Sequence, residues 1–228
     1  MESCFLKETN LTNNTDDLFD DGATFLAHSM NPAEAPPQRR LKAYDLTTEL
    51  EKVIARLASL DELSHIKMTG MILTLTQCRK NSYHGIYAAV KPLRFESGKR
   101  EKVVDKHRFI WPKYVIDGYI KLYQMIFYIP RFLDVSFEEK LLTIIHEMYH
   151  ISPRFNGDLR RFPGKNYAHG YSREEFDKAL IPIRDKALKR FKFQNFDFMT
   201  MNFKKLRAKY DSIVGNMFRN LEPERFKK

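Results

Sequence analysis

Apolar residues recur at helical spacing in three stretches of the chain. The three series are Leu50, Val53, Ile54 and Leu57; Phe137, Leu141, Ile144, Ile145 and Met148; and Phe176, Ala179, Leu180, Ile183 and Leu188. A Ser or Thr with Glu three residues later, the pattern of a capping box, opens each stretch, at Thr48, Ser136 and Ser172. These patterns predict helices that begin at or just after each of these residues. Pro153 ends the second helix, and Pro182 is expected to bend the third.

Alternating and β-branched stretches between the first two helices predict strands. Residues 65–79 and 86–95 are separated by a turn at 81–85, which predicts a hairpin. Residues 118–129, bounded by Gly118 and Pro130, have the strongest strand pattern and come just before the second helix. Residues 98–106 are charged and predict a surface loop or sheet edge, whereas the lone Trp111 is assigned to the core. The combination predicts an α+β fold with a small mixed or antiparallel sheet packed against two or three long helices.

The two ends of the chain differ from this central part. Residues 1–40 are rich in Asn, Thr, Asp and Pro without a sustained period, and predict a disordered acidic arm. Residues 41–192 are assigned to one α+β domain and residues 193–228 to a basic, aromatic-rich helical extension with a helix over about 203–221. The phenylalanines at 191, 193, 196 and 198 stack nucleic-acid bases under one interpretation and pack on the domain under the favoured one.

The net charge changes sign near the end of the N-terminal arm. Residues 1–38 hold seven acidic residues and one basic residue, and the remainder holds 38 basic and 22 acidic residues. Such a basic body can attract nucleic acid, an anionic membrane or acidic proteins, or it is simply a solvated surface. No apolar run is long enough for a membrane span and no signal-peptide pattern is present, so a cytoplasmic protein with no membrane partner is expected. Two cysteines, Cys4 and Cys78, make a disulfide framework or a thiolate metal site improbable.

The candidate chemistry lies near the end of the second predicted helix. His146, Glu147 and His150 form H-E-x-x-H, and on a helix the residues at i and i+4 share a face. Two imidazoles at that spacing can bind one Zn²⁺, which lowers the pKa of a bound water to about 7. Glu147 then has the position of a general base. Buried without a partner charge, the same three residues would only cost stability, so a purely structural role is disfavoured.

A catalytic zinc commonly has three protein ligands, and His169 is the candidate for the third. It lies in a loop rich in Gly and Pro, just before the third predicted helix. Glu174 and Glu175 are rival ligands. Asp158 is a candidate for orienting a ligand imidazole or for capping its own loop, and Arg160, Arg161, Tyr167 and Tyr171 are candidates for stabilising an oxyanion.

The segment HEMYHISPRFNGDLRRFPG, followed by AHGYS, resembles the phage metallopeptidase family, a group of predicted zincin-fold proteases of phages and prokaryotes. The resemblance covers roughly residues 41–190 and includes Gly157-Asp158, Arg160-Arg161-Phe162 and His169-Gly170. It implies a zincin-like fold, one zinc per chain held by His146, His150 and His169, and Glu147 as the base.

The expected function is therefore zinc-dependent hydrolysis of peptide bonds in a protein or peptide substrate. A strand near the zinc helix with an open edge would hold an extended substrate by main-chain hydrogen bonds. One alternative is a nucleic-acid-associated protein, either a DNA-linked protease or a binding protein with a vestigial or structural zinc site. Another is a zinc site that only stabilises the fold. His84, in the predicted turn, is a candidate substrate contact or an exposed turn histidine.

Overall fold

A computed structural model of the chain describes residues 7–8, 42–78, 85–162, 172–219 and 221–227, which form a mixed α+β structure. The helices are α1 (Leu46–Ala58), α2 (Phe137–Tyr149), α3 (Arg173–Arg190), α4 (Asp197–Thr200) and α5 (Phe203–Lys209). The strands are β1 (Lys7–Glu8), β2 (Tyr44–Asp45), β3 (Met71–Gln77), β4 (Ala88–Pro92), β5 (Glu101–Val104), β6 (His107–Ile110), β7 (Val115–Ile116), β8 (Tyr119–Ile120), β9 (Tyr123–Ile129), β10 (Ile213–Val214), β11 (Asn216–Met217) and β12 (Glu224–Lys227).

The central sheet has three strands in the order β3-β9-β4, with β3 parallel and β4 antiparallel to β9. Because side chains alternate across a strand, one face of β9 presents Tyr123, Met125, Phe127 and Ile129, all 0–1% exposed, to the main core. Helix α1 packs on this sheet near β3 and α2 packs near β4. The sheet therefore places α2 beside an edge strand.

Two of the strand predictions need correction. The predicted hairpin of residues 65–79 with 86–95 is wrong, because β3 and β4 both pair with β9 and lie on opposite sides of it. The stretch 118–129 is divided: Tyr119–Ile120 belongs to a separate hairpin with Val115–Ile116, and only Tyr123–Ile129 enters the central sheet. Since β9 is the middle strand, the edge of the described sheet that lies beside α2 belongs to β4.

The predicted starts of α2 and α3 are confirmed, and that of α1 is nearly right. Ser136 and Ser172 cap α2 and α3, each accepting a hydrogen bond from the amide of the Glu three residues later. Helix α1 begins earlier than predicted, because Asp45 is its N-cap and accepts from the amide of Thr48. Thr48 therefore lies inside the helix, where it donates its hydroxyl to the Asp45 carboxylate.

The predicted helix over about 203–221 is wrong beyond Lys209, where the chain turns into short strands. Base stacking by the phenylalanines at 193, 196 and 198 is also wrong, since all three are 5% exposed or less and belong to the main core. The favoured interpretation, packing on the domain, is confirmed for them. The core thus continues past residue 192 without a break, through Leu206 and Ile213.

A smaller cluster covers the opposite face of the central sheet. Trp111, predicted to be core, is 5% exposed and packs there with Ile72, Leu93 and Leu221. Strand β1, from the acidic N-terminal region, pairs with β11. Among the described helices, none combines the length and the apolar character that crossing a bilayer requires.

A buried lysine fastens α2 to the C-terminal segment. Lys140 is 2% exposed, and its Nζ donates to the carbonyl oxygens of Phe198 and Met201 at 2.8 Å. Burial lowers the pKa of Lys140 to about 8, so its ammonium form still predominates at pH 7. Because the two carbonyls accept from it at the C-terminal end of α4, the charged group satisfies acceptors that the short helix leaves open.

Lys140→Met should lower the free energy of unfolding by about 2–4 kcal/mol, because the buried carbonyls lose their donor. Urea unfolding followed by circular dichroism measures the change. Lys204→Met, at an exposed lysine of α5, is the control and should shift stability by less than about 0.5 kcal/mol. Equal stability of the two variants would mean that the lysine contributes nothing net.

Candidate metal centre on helix α2

Helix α2 is apolar on one side and carries the candidate ligands near its C-terminal end. Leu141, Ile144, Ile145 and Met148 are each 0% exposed and form the side that enters the core. His146, Glu147 and His150 are 6%, 8% and 7% exposed, so the polar side of the last helical turns is also almost buried. Burying polar groups costs free energy unless each finds a partner. The partners of these three residues come from α2 itself, α3 and β4.

The two imidazoles converge. Nε2 of His146 and Nε2 of His150 are 3.0 Å apart, and the rings meet nearly edge to face, with centroids separated by 4.7 Å. Two nitrogen ligands of a tetrahedral zinc, each bonded at 2.0–2.1 Å, lie about 3.3 Å apart. The observed separation is therefore close to that required for both nitrogens to bind one ion, and the residue types fit zinc.

Asp177 on α3 fixes the orientation of His146. Its Oδ1 lies 2.5 Å from His146 Nδ1, and its side chain is 30% exposed. An Nδ1–H that donates to this carboxylate leaves the lone pair of Nε2 directed at the candidate metal position. A carboxylate behind a ligand histidine also makes the imidazole a more basic ligand.

Phe176, the neighbouring residue on α3, supports both rings from the other side. The His150 ring is stacked on it with an interplanar angle of 12° and a centroid separation of 4.9 Å. The His146 ring meets it at 66° and 4.8 Å. Since Phe176 is 6% exposed, it is itself held by the core. Rotation of either imidazole would lose these contacts.

Glu147 points toward the edge strand of the central sheet. Its Oε2 accepts a hydrogen bond of 2.8 Å from the backbone amide of Val90 on β4. A pocket of about 180 Å³ opens between α2 and the start of β4. It is lined by Tyr87, Ala88, Glu139, Leu142, Thr143, His146, Glu147 and Asp177. The base candidate and one ligand candidate thus face the same cavity, together with the carboxylate that orients the ligand.

The remaining predicted ligands and contacts fall in two groups. His169, Tyr167, Tyr171 and His84 lie outside the described residues. Glu174 and Glu175 are exposed in the first turn of α3. Within the ranges listed above, no cluster of three or more His, Cys, Asp or Glu residues is arranged to hold a metal. The described part of the site therefore supplies two imidazoles, and its third ligand remains a prediction.

Asp158 caps its own loop. Its carboxylate accepts from the amides of Ser97 and Leu159, both at 2.8 Å, and pairs with Arg161 at 3.2 Å. The orienting role assigned to it as one alternative belongs to Asp177. The guanidinium of Arg160 lies 4.0 Å from the centre of the Tyr149 ring, which gives it a packing role.

Asp177 and Val90 were not predicted from the sequence. For Asp177 a pattern existed: a carboxylate one residue after Phe176 and three before Leu180 lies beside the apolar stripe of α3 and faces inward. For Val90 no such pattern existed. The hydrogen bond uses its backbone amide, and the pattern of side chains along a strand does not show which backbone amides of an edge strand are available.

No family model, curated protein or solved structure matches the chain. The resemblance to the phage metallopeptidase family stays a prediction that rests on the residues quoted for it.

Asp177→Asn should weaken zinc binding by about 10- to 100-fold, because the neutral amide fixes the tautomer and orientation of the His146 ring less strongly than the carboxylate. Competition with a chromophoric chelator measures the affinity. Asp185→Asn removes a carboxylate of the same helix that is 48% exposed and is not a proposed ligand, and it should leave the affinity unchanged. Equal affinities in the two variants would remove Asp177 from the site.

Proposed function

We propose that this chain is a zinc-dependent metallopeptidase with a zincin-like fold. The observation that carries the proposal is the convergence of His146 Nε2 and His150 Nε2, 3.0 Å apart, with Glu147 between them in sequence and lining the same pocket as His146. His146 and His150 would hold the metal, and His169 is the proposed third ligand. Zinc, when bound, supplies Lewis acidity that lowers the pKa of a coordinated water and polarises a carbonyl.

Glu147 is the proposed general base. Its carboxylate lines the pocket and accepts a hydrogen bond from the Val90 amide, which orients it there. It would take the proton of the attacking water and deliver it to the nitrogen of the leaving amine. The same side chain thus serves both halves of the hydrolysis.

The edge of β4 is the proposed binding site for the substrate backbone. The hydrogen bonds from Tyr128 N to Tyr87 O and from Leu93 N to Leu122 O fix which residues of β4 bond to β9. By alternation, the backbone groups of Ala88 and Val90 point away from β9. An extended peptide that pairs with Ala88 and with the Val90 carbonyl would pass directly beside Glu147.

The resemblance adds support at the level of residues. The quoted motif includes both histidines, Glu147 and the loop from Gly157 to Phe162, and in the structure this loop packs behind the end of α2. The amide of Arg160 donates to the His150 carbonyl at 2.7 Å, and Ile151 pairs with Leu159. The loop therefore stabilises the turn that carries His150, which gives the motif beyond H-E-x-x-H a physical purpose.

Wild-type protein purified without chelator or metal-affinity resin should contain about one zinc per chain by elemental analysis. His146→Ala, His150→Ala and His169→Ala should each lose most of it, because each removes one of three proposed ligands. His107→Ala, at a hairpin far along the chain from the motif, should keep it. Absence of zinc from the wild type after incubation with the metal would contradict the proposal.

Glu147→Gln should retain zinc and lower peptide hydrolysis by about 10²- to 10⁴-fold, because the amide cannot accept the proton. A quenched-fluorescence peptide library measures the rate. Glu138→Gln, which alters an exposed carboxylate in the first turn of the same helix that does not line the pocket, is the matched control and should keep the rate within a few-fold. Wild-type turnover with Gln at position 147 would exclude this role, and zinc binding without any hydrolysis would favour a structural site.

A further inference from the structure

A second sheet, built from β5, β6 and β12, lies apart from the candidate metal centre in the fold. Strand β6 is its middle strand, antiparallel to both neighbours, and Asp105 and Lys106 form the two-residue turn between β5 and β6 with positive φ. All four residues of β5 are exposed, as are the first three of β12. Both faces of the sheet therefore meet solvent.

Strand register sorts the side chains between these faces, because paired residues in neighbouring strands point to the same side. Lys102, Phe109 and Arg225 form one row across the three strands, and Val104 and His107 belong to the same face. We call these five residues the basic face. The opposite face carries Glu101, Val103, Arg108, Ile110, Glu224 and Phe226. Both glutamates of the sheet thus lie on the opposite face.

The cations on the two faces also differ in their ion pairs. On the opposite face, Arg108 is neutralised by Glu101, with Nη2 2.7 Å from Oε2. On the basic face, Arg225 donates to His107 Nε2 at 2.7 Å and has no carboxylate partner among the described residues. Lys102 likewise forms no ion pair within the described residues. Within the part of the chain that the structure describes, no carboxylate therefore neutralises the cations of the basic face.

Phe109 occupies the centre of this face. It is half-buried, it lies on the middle strand between Lys102 and Arg225, and it belongs to neither hydrophobic cluster. An aromatic ring with cations on both flanking strands offers a stacking surface for a planar group that is attached to negative charges.

Two further arginines, Arg100 and Arg94, add positive charge next to the basic face. The amide of Trp111 donates to the Arg100 carbonyl, which continues the β5–β6 pairing and puts Arg100 on the same side as Phe109. Arg94 is only 7% exposed, and no ion pair of Arg94 lies within the described residues. Burial and the nearby Arg100 lower the pKa of its guanidinium. Arg94 donates from Nη1 to the Leu93 carbonyl, and the exposed Arg100 donates to the Trp111 carbonyl. Both guanidiniums are thus held in place while neither is paired with a carboxylate among the described residues.

We propose that the basic face binds single-stranded nucleic acid, with one base stacked on Phe109 and backbone phosphates contacting Lys102 and Arg225. The occupant is inferred from charge complementarity together with the central aromatic ring. An acidic peptide would satisfy the cations but would not use Phe109 as a stacking surface.

The dimensions of the sheet suit a short single strand. Three strands about 4.8 Å apart and about four residues long give a surface roughly 10 Å by 13 Å, which accommodates about two or three nucleotides. A duplex keeps its bases stacked on one another and presents phosphates, so it would contact the cations without using the ring. This inference does not depend on the zinc site, since none of the five residues of the basic face lines the metal-site pocket.

Fluorescence anisotropy with the full chain and labelled oligonucleotides of about 12 thymidines or 12 uridines tests the proposal. Both should bind, and the affinity should fall about tenfold between 50 and 200 mM salt if two or three phosphates are contacted. Phe109→Leu, which keeps an apolar side chain but removes the aromatic ring, should lower the affinity about tenfold. A duplex of the same length should bind without sensitivity to this substitution.

Matched variants on the opposite face separate this site from general charge attraction. Phe226→Leu changes a 44% exposed phenylalanine of the same sheet and should leave binding unchanged. Arg225→Gln and Arg108→Gln alter net charge equally, yet only the first should weaken binding, by about fivefold. Circular dichroism of every variant confirms that the sheet is intact. Equal losses from both faces, or no binding by the wild-type chain at 50 mM salt, would overturn the proposal.

Discussion

The packing of α3 across the end of α2 is the contact on which the candidate site depends. Phe176 and Asp177 follow one another on α3, so one residue supports both imidazoles by ring contact and the next bonds to His146 Nδ1. On a single helix, H-E-x-x-H only guarantees that two histidines share a face. It is the second helix that limits their rotation, and a site held within a few tenths of an ångström needs such support.

The position of α2 is in turn fixed from three directions. Its apolar side packs on the central sheet, its C-terminal end on α3, and Lys140 near its N-terminal end bonds to carbonyls of residues 198–201. This buried ammonium donates to two backbone carbonyls, so it links α2 to the C-terminal segment by charge-assisted hydrogen bonds. The C-terminal segment, which supplies no candidate ligand, therefore helps to set the geometry of the site.

Local patterns in the sequence predicted the parts of this structure that local physics determines. Ser136 and Ser172 marked the starts of α2 and α3 because a hydroxyl three residues before a Glu satisfies free amides wherever the rest of the chain lies. The pairing of β3 and β4 with β9 was not predictable, since alternation gives the face of a strand but not its neighbour. For the same reason, the hydrogen bond between the Val90 amide and Glu147 could not be predicted. The short strands after Lys209 were missed because Leu206, Tyr210 and Ile213 keep a helical spacing that tertiary pairing with β2 overrides.

The burial of His146, Glu147 and His150 is the strongest physical reason to regard this region as functional. A helix of this length gains more stability from apolar residues at such positions, since each buried polar group must recover its lost hydration through a partner. Here the partners are specific and come from different elements: a carboxylate of α3 for His146 and a backbone amide of β4 for Glu147. A fold that only required a packed helix would place Leu or Ile at these positions. Under the proposed function, the two Nε2 atoms would bind a common ion, and metal coordination would add to the interactions that offset the cost of burying these side chains.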